Sequence, residues 1–141
     1  MHFIGLENLK KRSADGSADA SAPYHAIGVI NYHAADGGTA DHGLILYVKA
    51  GYHGVESAGV RNYATLHADF PHESTNNQWF TESQLESYRS LGFEIMDRIL
   101  RSAAEGLPDS KAATLPNLIE QLHARAEADE KDQAKANAAP G

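Results

Sequence analysis

The capping-box signature Thr81-Glu82-Ser83-Gln84, followed by apolar residues at Leu85, Tyr88, Ile95, Met96, Ile99 and Leu100, constrains this chain more than any other feature. Thr81 is placed to act as N-cap with Gln84 reaching back to it. The spacing predicts one helix with a broad apolar stripe, running to about Glu105 and closed by Gly106. Gly92 costs such a helix roughly 1 kcal/mol against alanine, so a close packing contact is expected there.

Upstream, Tyr24 to Tyr32 is rich in β-branched and aromatic residues and Leu44 to Val48 is apolar throughout, so both read as strands. Asp36-Gly37-Gly38 marks a turn in the long loop between them. The second strand carries apolar side chains on both faces, the pattern of a strand covered on both sides. Phe3, Ile4, Leu6 and Leu9 have a weak helical spacing that leaves Lys10 to Arg12 in water. Glu56 to His67 reads as a helix with Val60, Tyr63 and Leu66 inside, and Pro71 ends what precedes it. A short helix starts at Thr114 or Leu115 and uses Leu115, Leu118, Ile119 and Leu122. The fold class is therefore α/β, a two-stranded hairpin or sheet fragment packed with several helices. Residues 1–23 form an N-terminal segment and flexible loop, 24–106 a strand-strand-helix-helix module, 107–125 a short C-terminal helix, and 126–141 a frayed tail.

The formal net charge of −7 argues against a nucleic-acid partner. No cysteine is present to form a disulfide or supply a thiolate. No apolar run approaches the ~20 residues of a bilayer span, and the N-terminal charges follow the apolar residues, the reverse of a secretory signal. A soluble, cytoplasmic chain is expected.

Eight histidines raise the question of a metal. No two stand at the i, i+4 spacing that places both ligands on one helical face, and His-Glu-x-x-His is missing. His25 and His33 would share a strand face only along an unbroken strand. No metal and no cofactor are expected. A hydrolase serine on a strained turn requires Gly-x-Ser-x-Gly; Glu56-Ser57-Ala58-Gly59 comes nearest and lacks the first glycine. No catalytic residue is assigned. In the polar stretch before the long helix, His72, Ser74, Thr75 and Asn77 are read as satisfying backbone groups. Trp79 and Phe80 are read as anchors that pin this connection to the core. Glu82, Glu86, Arg89 and Asp97 form the solvated helix face.

The order of these features resembles a known family. Ala26-Ile27-Gly28, Gly43-Leu44-Ile45-Leu46-Tyr47-Val48-Lys49, Gly54-Val55-Glu56 and Asn62-Tyr63 lead into Phe70-Pro71-His72-Glu73-Ser74-Thr75. These continue through Gln78-Trp79-Phe80 to Glu82-Ser83-Gln84-Leu85-Glu86-Ser87-Tyr88-Arg89. Over Tyr24 to Gly92, half the chain, this is similar to the C-terminal part of large bacterial patatin-like phospholipases. The resemblance implies an α/β/α serine lipid acyl hydrolase with a Ser-Asp dyad and fatty acyl ester substrates. The family's nucleophile elbow and Gly-rich oxyanion loop lie upstream of the matched segment. Its dyad aspartate is not carried over to Asp36, which falls in the loop between the two strands. The resemblance thus implies a non-catalytic C-terminal segment, inactive alone. Its partner would be the upstream patatin catalytic core, and it would meet lipid, or the periphery of a membrane, only through the complete enzyme. The alternative is a small interaction or dimerisation module whose partner is a second copy.

Overall fold

The computed structural model describes residues 1–12, 17–33, 37, 42–76 and 78–138, which form two compact units. The expected loop residues Asp36 and Gly38, and Asn77 of the polar stretch, lie outside the described residues.

The first unit comprises Met1–Glu7, His25–Val48 and Leu100–Gly141. Its sheet has three antiparallel strands, β1 (His2–Ile4), β2 (His25–Ile30) and β3 (Gly43–Val48), in the order β1-β2-β3. The mixed α/β class is as expected, with one strand more than the sequence suggested. That strand comes from the stretch expected to be helical. An isolated turn of helix there would be marginal, whereas pairing Phe3 with Gly28 and Ile4 with Ile27 supplies ladder hydrogen bonds. Gly28 makes room for the pairing partner: a Cβ on it would stand 2.8 Å from the Phe3 ring. β3 is not covered on both sides. It lies at the sheet edge, with Tyr47 exposed and Leu44, Ile45 and Leu46 half-buried.

A long helix, Leu115–Ala138, packs on this sheet. Leu118 and Leu122 are buried, as expected, while Leu115 is exposed. The helix runs far past Arg125, where a frayed tail was expected. Alanines and the close pairs Glu127 with Lys131 and Asp132 with Lys135 support it without burial. Arg125 Nη1 also donates to Ser102 O at 2.7 Å.

The second unit comprises Asn8–Tyr24 and Lys49–Ile99. Its helices are α1 (Ala58–Leu66) and the first part of α2 (Glu82–Glu105), so the helix on the sheet is α3. Val60 and Tyr63 point inward as expected, but Leu66 is exposed and Ala64 takes the third inward position. On α2 the buried stripe is Leu91, Ile95 and Ile99. The contact expected at Gly92 is absent, since nothing lies within 4 Å of where its Cβ would be. Two charged side chains finish α1. Glu94 accepts the Ser57 N–H at 2.8 Å at the N-terminal end, where the helix dipole favours an anion. Arg12, expected in water, donates to the carbonyls of Ala64, His67, Ala68 and Phe70 at the other end. Ala64 and the C-cap His67 supply acceptors that the helix terminus leaves over, and Ala68 and Phe70 belong to the turn that follows. Among the described residues no helix is long and apolar enough to cross a membrane.

Candidate functional site

The stretch from Phe70 to Arg89 builds most of one site in the second unit. Phe70 is buried and anchors it, with its ring centre 5.2 Å from that of Tyr63 and 4.9 Å from that of Tyr88. The chain then turns at Pro71 and runs along the start of α2, enclosing a groove of about 460 Å³ lined by residues that include Pro71, Glu73, Phe80, Gln84, Leu85 and Tyr88. Thr81 caps α2 as expected, accepting the Gln84 N–H at 3.2 Å. The reciprocal half of the capping box is missing, because the Gln84 side chain reaches Glu73 instead.

Glu73 is the hub. Its carboxylate accepts from the Tyr63 hydroxyl, 3.2 Å from both oxygens, and from Gln84 Nε2 at 3.1 Å. His67 Nδ1 stands 3.1 Å from Oε1, its ring stacked on Tyr63 with centres 3.9 Å apart. The Glu73 N–H donates to the Tyr88 hydroxyl at 3.3 Å. Burial, followed by the neighbouring carboxylate, pushes the Tyr63 hydroxyl up to about 12. A carboxylate shared among this many donors orders the groove wall, and little of its acceptor capacity remains for a base.

Two polar residues of the stretch meet backbone groups. His72 Nε2 lies 2.9 Å from Ala50 O, and Ser74 Oγ accepts the Asn76 N–H. Among the described residues, neither Ser74 nor Thr75 is hydrogen-bonded to a histidine or a carboxylate. Glu86 and Arg89 form an exposed pair, which lowers the Glu86 carboxyl below its ordinary range. Glu82, Ser83 and Ser87 belong to the first turns of α2, and Ser87 Oγ donates to Ser83 O.

The aromatic anchors are a correction. Trp79 is 89% exposed and Phe80 52%, with Leu85 beside the groove at 61%. They form the rim of the site and do not pin it to the core. Phe70, Tyr63 and Leu91 are buried instead, while residues 78–81, which carry no helix or strand, are exposed.

A second cluster in this unit escaped the sequence entirely. Glu56, 3% exposed, accepts from the Tyr24 hydroxyl at 2.7 Å and from the His53 backbone N–H at 2.8 Å, both through Oε1. Its Oε2 is buried with no hydrogen-bond partner among the described residues. His53 is fully buried, its ring 4.7 Å from that of Tyr24. Gly54, with φ of 78°, makes the turn between these residues, and a Cβ on it would stand 3.1 Å from the Ala18 Cα. A tyrosine and a glutamate 32 positions apart carry no local signature.

Burial lowers both His53 and His25 below the ordinary histidine range. A histidine depressed in the folded state binds its proton more readily unfolded, so it costs stability as pH falls through the unfolded value near 6.5. Between that value and the folded one, each histidine contributes a slope of about 1.4 kcal/mol per pH unit. Urea midpoints should therefore fall from pH 7.5 to 5.5, and replacing His53 with phenylalanine should flatten the decline.

Among the described residues no group of three or more histidine, aspartate or glutamate side chains is placed to hold a metal ion. No family model, curated protein or solved structure matches this chain.

Proposed function

We propose that this chain is a non-catalytic binding segment that docks onto the catalytic core of a patatin-like lipid acyl hydrolase. The observation that carries the reading is the exposed rim of Trp79, Phe80 and Leu85 beside the groove. These residues lie within the very stretch that resembles the family, yet they contribute little to the chain's own core. Large aromatic side chains grouped at a concave surface are what a protein contact uses for anchorage. The spent carboxylate of Glu73 supports recognition in preference to group transfer.

A second reading, self-association, is favoured by β3. This edge strand has six residues with no charge and no proline, and such an edge can accept another strand.

Co-expression with a patatin-like core that lacks its own C-terminal segment separates the two. Under the first reading the chain co-purifies with that core, restores acyl ester hydrolysis, and loses both effects when Trp79 and Phe80 are replaced by alanine. The chain alone turns over no p-nitrophenyl ester. Turnover by the isolated chain that disappears on Asp36→Ala overturns the non-catalytic reading. A urea midpoint that rises with protein concentration, with no capture of the core, selects self-association.

A further inference from the structure

Gly92 stands in the middle of α2, where a glycine weakens a helix. Among the described residues nothing uses the space it leaves, with no atom within 4 Å of where a Cβ would stand. The helix surface around it is apolar: Leu85 is 61% and Phe93 67% exposed, and Met96 is half-buried. Positions 85, 92, 93 and 96 fall on one face of a helix, about a quarter turn from the buried stripe of Leu91, Ile95 and Ile99. All belong to the second unit, and through Leu85 the face continues into the groove rim. Glu82, Glu86 and Asp97 run along one side of this face at helical spacing. From Glu82 to Asp97 the chain holds four acidic side chains against one arginine. That arginine, Arg89, is engaged by Glu86.

We propose that this face of α2 receives an amphipathic helix of the partner protein, which crosses over Gly92, seats an apolar stripe on Leu85, Phe93 and Met96, and lays lysine or arginine side chains along Glu82, Glu86 and Asp97. A glycine that weakens its own helix and meets nothing within the chain fits a contact made from outside, because the missing side chain lets a second helix come close. Leu85, Gly92 and Met96 follow one another at steps of seven and four residues, the spacing on which docked helices place their anchors. The charge selects the occupant. A second copy of α2 would bring the same acidic flank against this one, and like charges in a contact oppose it. An anionic bilayer is disfavoured for the same reason. A basic flank on the partner helix is complementary. This helix contact deepens the binding-segment reading, on which it rests, and requires of the partner only such a helix.

The probe is a labelled synthetic peptide of roughly 18 residues, about five helical turns, with leucines on one face and lysines beside them; its twin carries glutamates for the lysines. Fluorescence anisotropy with the full chain should give a Kd of about 100 μM or tighter for the lysine peptide, weakening as salt is added, and amide NMR shifts centred on Gly92 and Phe93. Gly92→Gln fills the notch with a good helix former, so it should raise the melting temperature of the free chain while weakening the peptide at least tenfold. Opposite signs in one variant separate lost docking from lost folding. No binding of the lysine peptide at 1 mM, equal binding of the glutamate twin, or an affinity that Gly92→Gln leaves unchanged overturns the proposal. So does a lower melting temperature for Gly92→Gln, which would assign the glycine to the chain's own backbone. Self-association that Gly92→Gln abolishes, or binding of phosphatidylglycerol vesicles lost on Phe93→Ala, overturns it in favour of a second copy or a membrane. Capture of a patatin-like core by the parent and by Gly92→Gln alike overturns the helix contact and leaves the binding-segment reading standing. Peptide binding at Gly92 without capture of that core supports the helix contact and removes the patatin partner.

Discussion

Replacing Phe70 with alanine is expected to cost about 4 kcal/mol of stability, the largest effect of any single substitution considered for this chain. Phe70 is 1% exposed, and its ring meets those of Tyr52, Tyr63 and Tyr88 in edge-on geometry. Truncation forfeits the apolar burial and the three aromatic contacts, each worth about 0.5–1.5 kcal/mol beyond area. The cavity left behind is bordered by stiff rings that collapse poorly. The loss also reaches the site, because Tyr63 and Tyr88 hold Glu73 from either side of the space Phe70 fills. Urea unfolding followed by far-UV circular dichroism measures the effect. Trp79 fluorescence is a poor probe, since that side chain is already exposed. A loss under 1 kcal/mol would mean that the ring cluster is not the centre of this unit. Phe70→Leu keeps most of the volume and should lose about half as much.

Glu56→Ala should cost about 3 kcal/mol, through a different mechanism. Two effects oppose each other. Removing a buried carboxylate whose Oε2 has no hydrogen-bond partner among the described residues relieves a desolvation penalty. Against that, the Tyr24 hydroxyl and the His53 N–H lose their acceptor in a buried place, at about 1–3 kcal/mol each, and a cavity opens. The unpaired donors and the cavity together outweigh the relief. A double-mutant cycle with Tyr24→Phe isolates the contact: once the hydroxyl is gone, Glu56→Ala should cost at least 1 kcal/mol less. Additive losses would show that Tyr24 and Glu56 are not energetically coupled. Burial, then the Glu56 hydrogen bond and charge, raise the Tyr24 hydroxyl well above its ordinary value, so an alkaline titration of the parent should show a late phenolate phase that Tyr24→Phe lacks.

The features legible in the sequence are those with a local cause. The Thr81 cap, the length of α2, the two strands from Tyr24 to Tyr32 and Leu44 to Val48, and the inward positions of Val60, Tyr63, Ile95 and Ile99 follow from spacing and turn chemistry within a few residues of each other. Beyond Arg125, propensity and close ion pairs extend α3 where a search for burial alone saw only a tail.

What the sequence could not determine is which groups meet across long chain separations. Arg12 finds the end of α1 more than fifty residues away, Tyr24 finds Glu56, and Glu73 draws Gln84 away from its own helix cap. Each is a contest between local and distant partners, settled only when the chain packs. Trp79 shows the same limit for hydrophobicity. Its composition argues for the core, but Phe70, Tyr63 and Leu91 are the residues that are buried, and the indole is left at the surface.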